Sequence, residues 1–177
     1  EQGHTRIACI TNAKLSYSSA SQRLQGYRQA LVDAGLDLDE SLIREADFDS
    51  ASGYTAMRNL LDSGSVFSAV FAGSDAVALG AMAAIHETGL TIPRDISIVG
   101  FDDIPEAAHY HPGLTSVRVP ANEIARQSCR LLMQLMKGKP PADTSIFLPT
   151  ELISRQSTCE IERSLEHQQG ENLVHFT

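Results

Sequence analysis

The sequence predicts an α/β domain, a parallel sheet with helices on both faces. Three observations lead there. Short apolar runs alternate with longer stretches of helical periodicity, in units of roughly 30 residues. The runs are apolar almost throughout, as strands covered on both sides are. Glycines stand where helices must stop, at Gly35, Gly64, Gly89 and Gly138.

The first strand is "RIACI" (6–10). A helix over 20–34 comes next, because Leu24, Tyr27, Leu31 and Ala34 fall on one stripe. "SLIREADF" (41–48) is the second strand, and 51–63 the second helix, with Ala56, Leu60 and Leu61 on its apolar face. "FSAVFAG" (67–73) is the third strand. The third helix, 76–87, is apolar almost all round through Val77, Leu79, Met82 and Ile85. "DISIVGFD" (95–102) and "LTSVRV" (114–119) are further strands, and "IPEAAHY" between them reads as a short helix with Pro105 near its start. A fourth long helix spans 121–137, with Ile124, Leu131, Leu132, Leu135 and Met136 apolar, and "KPP" forbids its continuation. "SIFLPTELISR" (145–155) holds one or two last strands, and a polar tail closes the chain.

Composition narrows the function. The chain of 177 residues is 42% apolar, enough for a core, and no run is long enough to span a membrane. "EQGHTRIACI" has neither a basic start nor a cleavage pattern. Cys9, Cys129 and Cys159 form no CxxC pair, which argues against a zinc site or a disulfide framework and fits a reducing compartment. With 22 acidic and 14 basic residues the net charge is −8, so DNA phosphates are not expected to bind this chain itself. No GxGxxG comes after the first strand and no P-loop occurs, so no nucleotide cofactor is expected.

Ligands of open α/β sheets lie outside the carboxyl ends of the strands. There the chain places Thr11 and Asn12, Arg23 at the start of the first helix, Phe48, the run Gly73-Ser74-Asp75, and Asp102-Asp103. A guanidinium, a carboxylate and an aromatic face suit a polyol or similar small polar molecule. No GxSxG, HExxH or Cys–His pairing supports catalysis. Each residue also has a plainer reading. Asp75 fits an N-cap or first-turn acid of the third helix, and Asp103 a helix cap, better than a ligand contact. Arg23 is equally a surface arginine and Phe48 equally a core ring. His109 and His111 flank Tyr110, but without a third ligand they read as loop, and no metal site is expected. Asp102 ends the strand itself, and there the ligand reading is the stronger.

Taken in order, "GHTRIACI", "QRLQGYRQAL", "GYTAMRNLL", "AVFAGSDAVALGAMAAIHETGLTIPRDISIVGFDDIPEAAHYHPGLTSVRVP", "EIARQSCRLLMQL" and "LPTELISRQST" resemble the effector-binding region of lactose/galactose-repressor (LacI/GalR) transcription regulators, from Gly3 to Thr158. The resemblance implies a periplasmic-binding-protein-like (type I) fold and a cytoplasmic regulator that is not an enzyme. In such regulators an arginine, an aromatic and the first acid of "G-F/Y-D-D" touch the effector; here these are Arg23, Phe48 and Asp102. Asp103 is left to cap the short helix after it. Ser74 stands where the family's "A-N-D" has an asparagine, so its contact is shortened. The resemblance also implies that a helix-turn-helix headpiece and most of an N-terminal subdomain lie upstream. On that reading residues 3–119 form the C-terminal subdomain, 120–147 cross into the other subdomain, 148–158 return, and 159–177 are a tail without structure. The expected partners are a small effector of the sugar class, a second copy through Leu79, Met82 and Tyr110, and DNA only through the headpiece. A periplasmic-type sugar receptor for transport is the alternative, and a sugar-processing enzyme a third.

Overall fold

In the computed structural model of the chain, residues 2–139 and 145–161 are described. The elements are β1 (Ile7–Ile10), α1 (Ser18–Asp33), β2 (Ile43–Arg44), α2 (Ser50–Asp62), β3 (Ala69–Ala72), α3 (Asp75–Glu87), β4 (Ser97–Asp102), α4 (Pro105–His109), β5 (Thr115–Arg118), α5 (Ala121–Met136) and β6 (Glu151–Ile153). The sheet runs β2-β1-β3-β4-β5-β6, parallel from β2 to β5. β6 is antiparallel to β5, so the sheet is mostly rather than wholly parallel. The chain leaves β1 for β2 and returns past β1 to β3. The switch point of this topology therefore lies between the ends of β1 and β3.

The helices cover the two faces unequally. On one face α1 sets Leu24, Tyr27 and Leu31 against Cys9, Ile43 and Phe71. The Tyr27 hydroxyl donates to Ile7 O at 2.7 Å, so its buried polar end is satisfied. Burial pushes the Cys9 thiol up to about 12, which keeps it protonated, a small core residue. Beside α1 the same face continues half-covered over Val99 and Val117.

On the other face α2 and α3 lie over the strands as one layer. They touch backbone to backbone. A Cβ on Gly80 would stand 1.8 Å from Ser50 O, and one on Gly53 2.2 Å from Val77 O. Only glycine permits this approach. It also corrects the expected dimer surface. A second apolar side of α3 meets α2, and Met82 is fully buried in the chain's own core. Met82 has no surface to offer a second copy. Leu79 and Tyr110 are half-buried and pack against that core.

The second strand is shorter than the apolar run predicts. Asp39 accepts from the Ser41 N–H at 3.0 Å and winds Glu40–Leu42 into a 3-10 turn. Phe48, at φ 60, ends the extended course on the other side. Only Ile43 and Arg44 remain to pair with β1.

α5 departs from the body. None of its residues is buried; Leu132 is 58% exposed, Leu135 55% and Met136 79%. Its apolar face rests on no element of this chain among the described residues. The Pro140-Pro141 stop and most of the polar tail lie outside the described residues.

Candidate ligand-binding site

Phe48, Asp102 and Asp103 are the non-glycine residues with positive φ, at 60°, 112° and 57° among the described residues. All three lie at or beyond the carboxyl ends of strands. Such conformations cost roughly 1–3 kcal/mol each and concentrate where function fixes the backbone.

Arg23, in the second turn of α1, reaches over this edge. Its Nη1 donates to Gly73 O at 2.6 Å and its Nη2 to Asp102 Oδ1 at 3.4 Å. The guanidinium lies 3.9 Å above the centre of the Phe101 ring. That ring fixes the plane of the fork, and sequence reasoning missed it because Phe101 looks like any interior strand residue. The contact with Asp102 is long for a charge-assisted bond, which is usually about 2.7–2.9 Å. Both groups therefore keep bonding capacity for a ligand. Burial raises the Asp102 carboxyl above its ordinary range; Arg23 opposes this and Asp75 adds to it. Burial likewise lowers Arg23, with Asp102 opposing.

Phe48 is half-exposed. Its ring meets Tyr17 edge to face, with centroids 5.1 Å apart and planes at 90°. The two rings form an aromatic corner at the β2 side of the site. Tyr17 carries no sequence signal beyond its place before α1. The Phe48 N–H donates to Asn12 O at 2.7 Å. Asn12, at the end of β1, is 4% exposed, and its Oδ1 is sealed from solvent with no hydrogen-bond partner among the described residues. Gly73 lies against it: a Cβ there would stand 2.6 Å from Asn12 N. So the structure joins Arg23 and Asp102 directly, and connects Phe48 to them through Asn12 and Gly73.

Two assignments change and one narrows. Ser74 caps α3 and Asp75 is the acid of its first turn: Ser74 Oγ accepts from Val77 N at 3.4 Å, and the residue is 8% exposed. Its hydroxyl oxygen is thus engaged in the cap. Asp75 is fully buried and accepts from Ser116 Oγ at 2.6 Å and from Ile104 N at 2.8 Å, with its carboxyl raised chiefly by burial. Asp103 does not cap α4, whose N-cap is Ile104 without a side-chain bond. Asp103 instead accepts from Arg155 Nη2 at 2.6 Å and Arg118 Nε at 2.7 Å.

A hollow of about 850 Å³ lies along α1 over Tyr27, Leu31, Phe71, Phe101 and Val117, and meets the site at Arg23 and the Phe101 ring beneath it. Its apolar walls mark an uncovered stretch of sheet rather than a seat for a polar ligand. At the edge itself, a planar donor fork, a carboxylate and an aromatic corner can hold neutral hydroxyl groups. Among the described residues no cluster of His, Cys, Asp and Glu could hold a metal ion, and no helix is long and apolar enough to cross a membrane.

The sequence profile of the periplasmic binding protein-like domain matches residues 1–158. The HTH-type transcriptional regulator CelR of Thermobifida fusca is 40% identical over 157 residues, which are 89% of this chain and 46% of that protein. The solved complex of the regulator CelR with cellobiose superposes with a TM-score of 0.83 at 39% identity, over 88% of this chain and 47% of that one. The Lac repressor dimer bound to operator and the anti-inducer ONPF gives 0.83 at 34% identity, over 89% and 54%. The chain thus spans about half the length of the proteins it matches. These relatives are transcriptional regulators. From the profile match and the sheet order together, this chain, whose matched relatives include GalR and the Lac repressor, belongs to the periplasmic binding protein-like domain family.

Proposed function

We propose that this chain is the ligand-sensing part of a LacI/GalR-type DNA-binding regulator. Its effector is a small neutral sugar, held by Arg23 and Asp102 on one side and Phe48 on the other, with Ser74 at the margin. The observation that carries this reading is the open Arg23–Asp102 pair at 3.4 Å, set on the Phe101 ring at the carboxyl edge of the sheet. A similar regulator is solved with cellobiose, and that supports a sugar here. Residues 120–147 belong to a second subdomain that closes over the site, which accounts for an α5 whose apolar face is bare. A sugar held between both subdomains favours the closed state only through its differential affinity for it. That shift alters how a headpiece elsewhere in the full-length protein meets DNA. The protein is a cytoplasmic regulator without enzymatic activity.

The full-length protein should shift a DNA probe carrying its own upstream region, and one of D-glucose, D-galactose or cellobiose should change that shift. The present chain alone, at net charge −8, should give no salt-sensitive shift. Absence of any sugar effect on a full-length protein that binds DNA would remove the sugar reading and leave the regulator.

Association rests on Leu79 and Tyr110, without Met82. The full-length protein should sediment as a two-fold dimer, and Leu79→Arg should convert it to monomer. An unchanged mass for a folded Leu79→Arg protein would place the interface elsewhere.

A further inference from the structure

We infer that Asn12 is a specificity-determining residue that offers its side-chain amide to a hydroxyl of the bound ligand from the floor of the site. The inference rests on the reading that the ligand lies between Phe48 and the Arg23–Asp102 pair.

Strand order supplies the first argument. Phe48 lies beyond β2, Asp102 ends β4, and the strands between them are β1 and β3. A molecule touching both flanks must cross the ends of those two inner strands. Asn12 stands just past one and Gly73 just past the other. The switch point of the sheet falls at the same place, where open α/β sheets bind their ligands.

The state of the side chain supplies the second. Asn12 Oδ1 is sealed from solvent and has no partner among the described residues. A buried polar group in that condition is unusual in folded proteins and calls for a specific reason. A ligand hydroxyl that meets the amide once it turns toward the site is such a reason. Rotation about the Cβ–Cγ bond exchanges Oδ1 and Nδ2 with little change of volume, so the amide can turn either an acceptor or a donor toward a hydroxyl.

The neighbours supply the third. The Ser74 oxygen accepts at the α3 cap at 3.4 Å, so its short hydroxyl is what the β3 side of the floor has to offer beside the longer amide of Asn12. Gly73 makes room for Asn12, because any Cβ at position 73 would meet its backbone N at 2.6 Å and its Oδ1 at 3.2 Å. Asn12 also carries Phe48 through its own carbonyl, so the amide and the aromatic corner are placed by one residue.

Two measurements on the full-length protein test this. Leucine has nearly the shape of asparagine and no polar atoms. Without ligand, Asn12→Leu should raise the melting temperature by roughly 2–4 °C, as removal of an unsatisfied buried amide predicts. A fall of that size would show that the amide is already satisfied in the unliganded protein, and would overturn the inference. In titration calorimetry with cellobiose and with D-glucose, Asn12→Leu and Asn12→Ala should each weaken the better-bound sugar roughly three- to tenfold. Unchanged affinity in both variants would also overturn it. If neither sugar binds the wild-type protein, the sugar reading is what fails, and the thermal comparison still decides the state of Asn12.

Discussion

Asp103→Ala should lower the free energy of unfolding by about 3 kcal/mol, the low end of what removal of one partner from a buried ion pair costs. The Asp103 side chain is 6% exposed and Arg155 only 16%, so alanine strands a guanidinium away from water. Arg118, at 48%, remains half in solvent and adds less. Burial acts to raise the Asp103 carboxyl, but hydrogen bonds and charge from Arg155 and Arg118 prevail and hold it below the ordinary range. A carboxyl depressed in the folded state contributes stability that is complete above its unfolded pKa, about 3.9, and is lost as pH falls through the folded value. The gap between wild type and Asp103→Ala should therefore be full at pH 7 and narrow below about pH 4. Urea titrations at neutral and acidic pH, with unchanged m, measure it. A gap that persists undiminished into strong acid would mean that the carboxylate charge is not the stabilising element.

Asp102→Ala should act on binding instead. Loss of a charge-assisted hydrogen bond is worth roughly 1.5–3 kcal/mol, or about ten- to hundredfold in affinity. The residue's fold contribution is small, because its contact with Arg23 is long and 38% of its side chain is exposed. Asp102→Asn separates charge from shape, since asparagine tolerates left-handed backbone and keeps one acceptor. It should bind more weakly than wild type but better than alanine. The pH dependence comes from the same carboxyl. Burial, opposed by Arg23, raises it, so protonation sets in above the ordinary value of about 3.9. Affinity should fall as pH drops toward that raised value in wild type, and much less in Asp102→Asn. Calorimetry of the full-length protein with its best-bound sugar measures both. Equal affinities in wild type and Asp102→Ala would remove Asp102 from the site.

Helices are the most legible part of the chain. Leu24, Tyr27 and Leu31 declare the buried face of α1 at spacings of three and four, and Gly35 stops it. Such signals are local, and local signals fix local structure. The length of β2 is not legible, because an apolar run does not reveal that Asp39 will wind a turn into its start. The acids mislead for a related reason. Asp75 and Asp103 each stand before or at a helix start, where caps are found, yet their partners lie 41 and 52 positions away, at Ser116 and Arg155. No spacing rule reaches that far. The Arg23–Asp102 pair is separated by 79 positions. It is anticipated by the rule that ligands sit at carboxyl edges and by the family resemblance, not by any pattern in the intervening chain. Met82 shows a third limit. A helix apolar on every side must be covered on every side, but the pattern is the same whether the cover is α2 or a second molecule.

If Phe48 and Asp102 hold a ligand as proposed, their backbone bears on how such a sensor changes over generations. Glycine adopts left-handed conformations without penalty, so exchange to glycine at either position would make the fold easier to keep. A lineage released from its ligand, or a laboratory selection that rewards heat resistance alone, has a downhill route through these two positions. Each step along it removes an aromatic face or a carboxylate from the sensor. The positions most open to improvement as fold are thus the least open to change as sensor. Retention of Phe48 and Asp102 in a drifting population would be a record that the ligand was still being sensed.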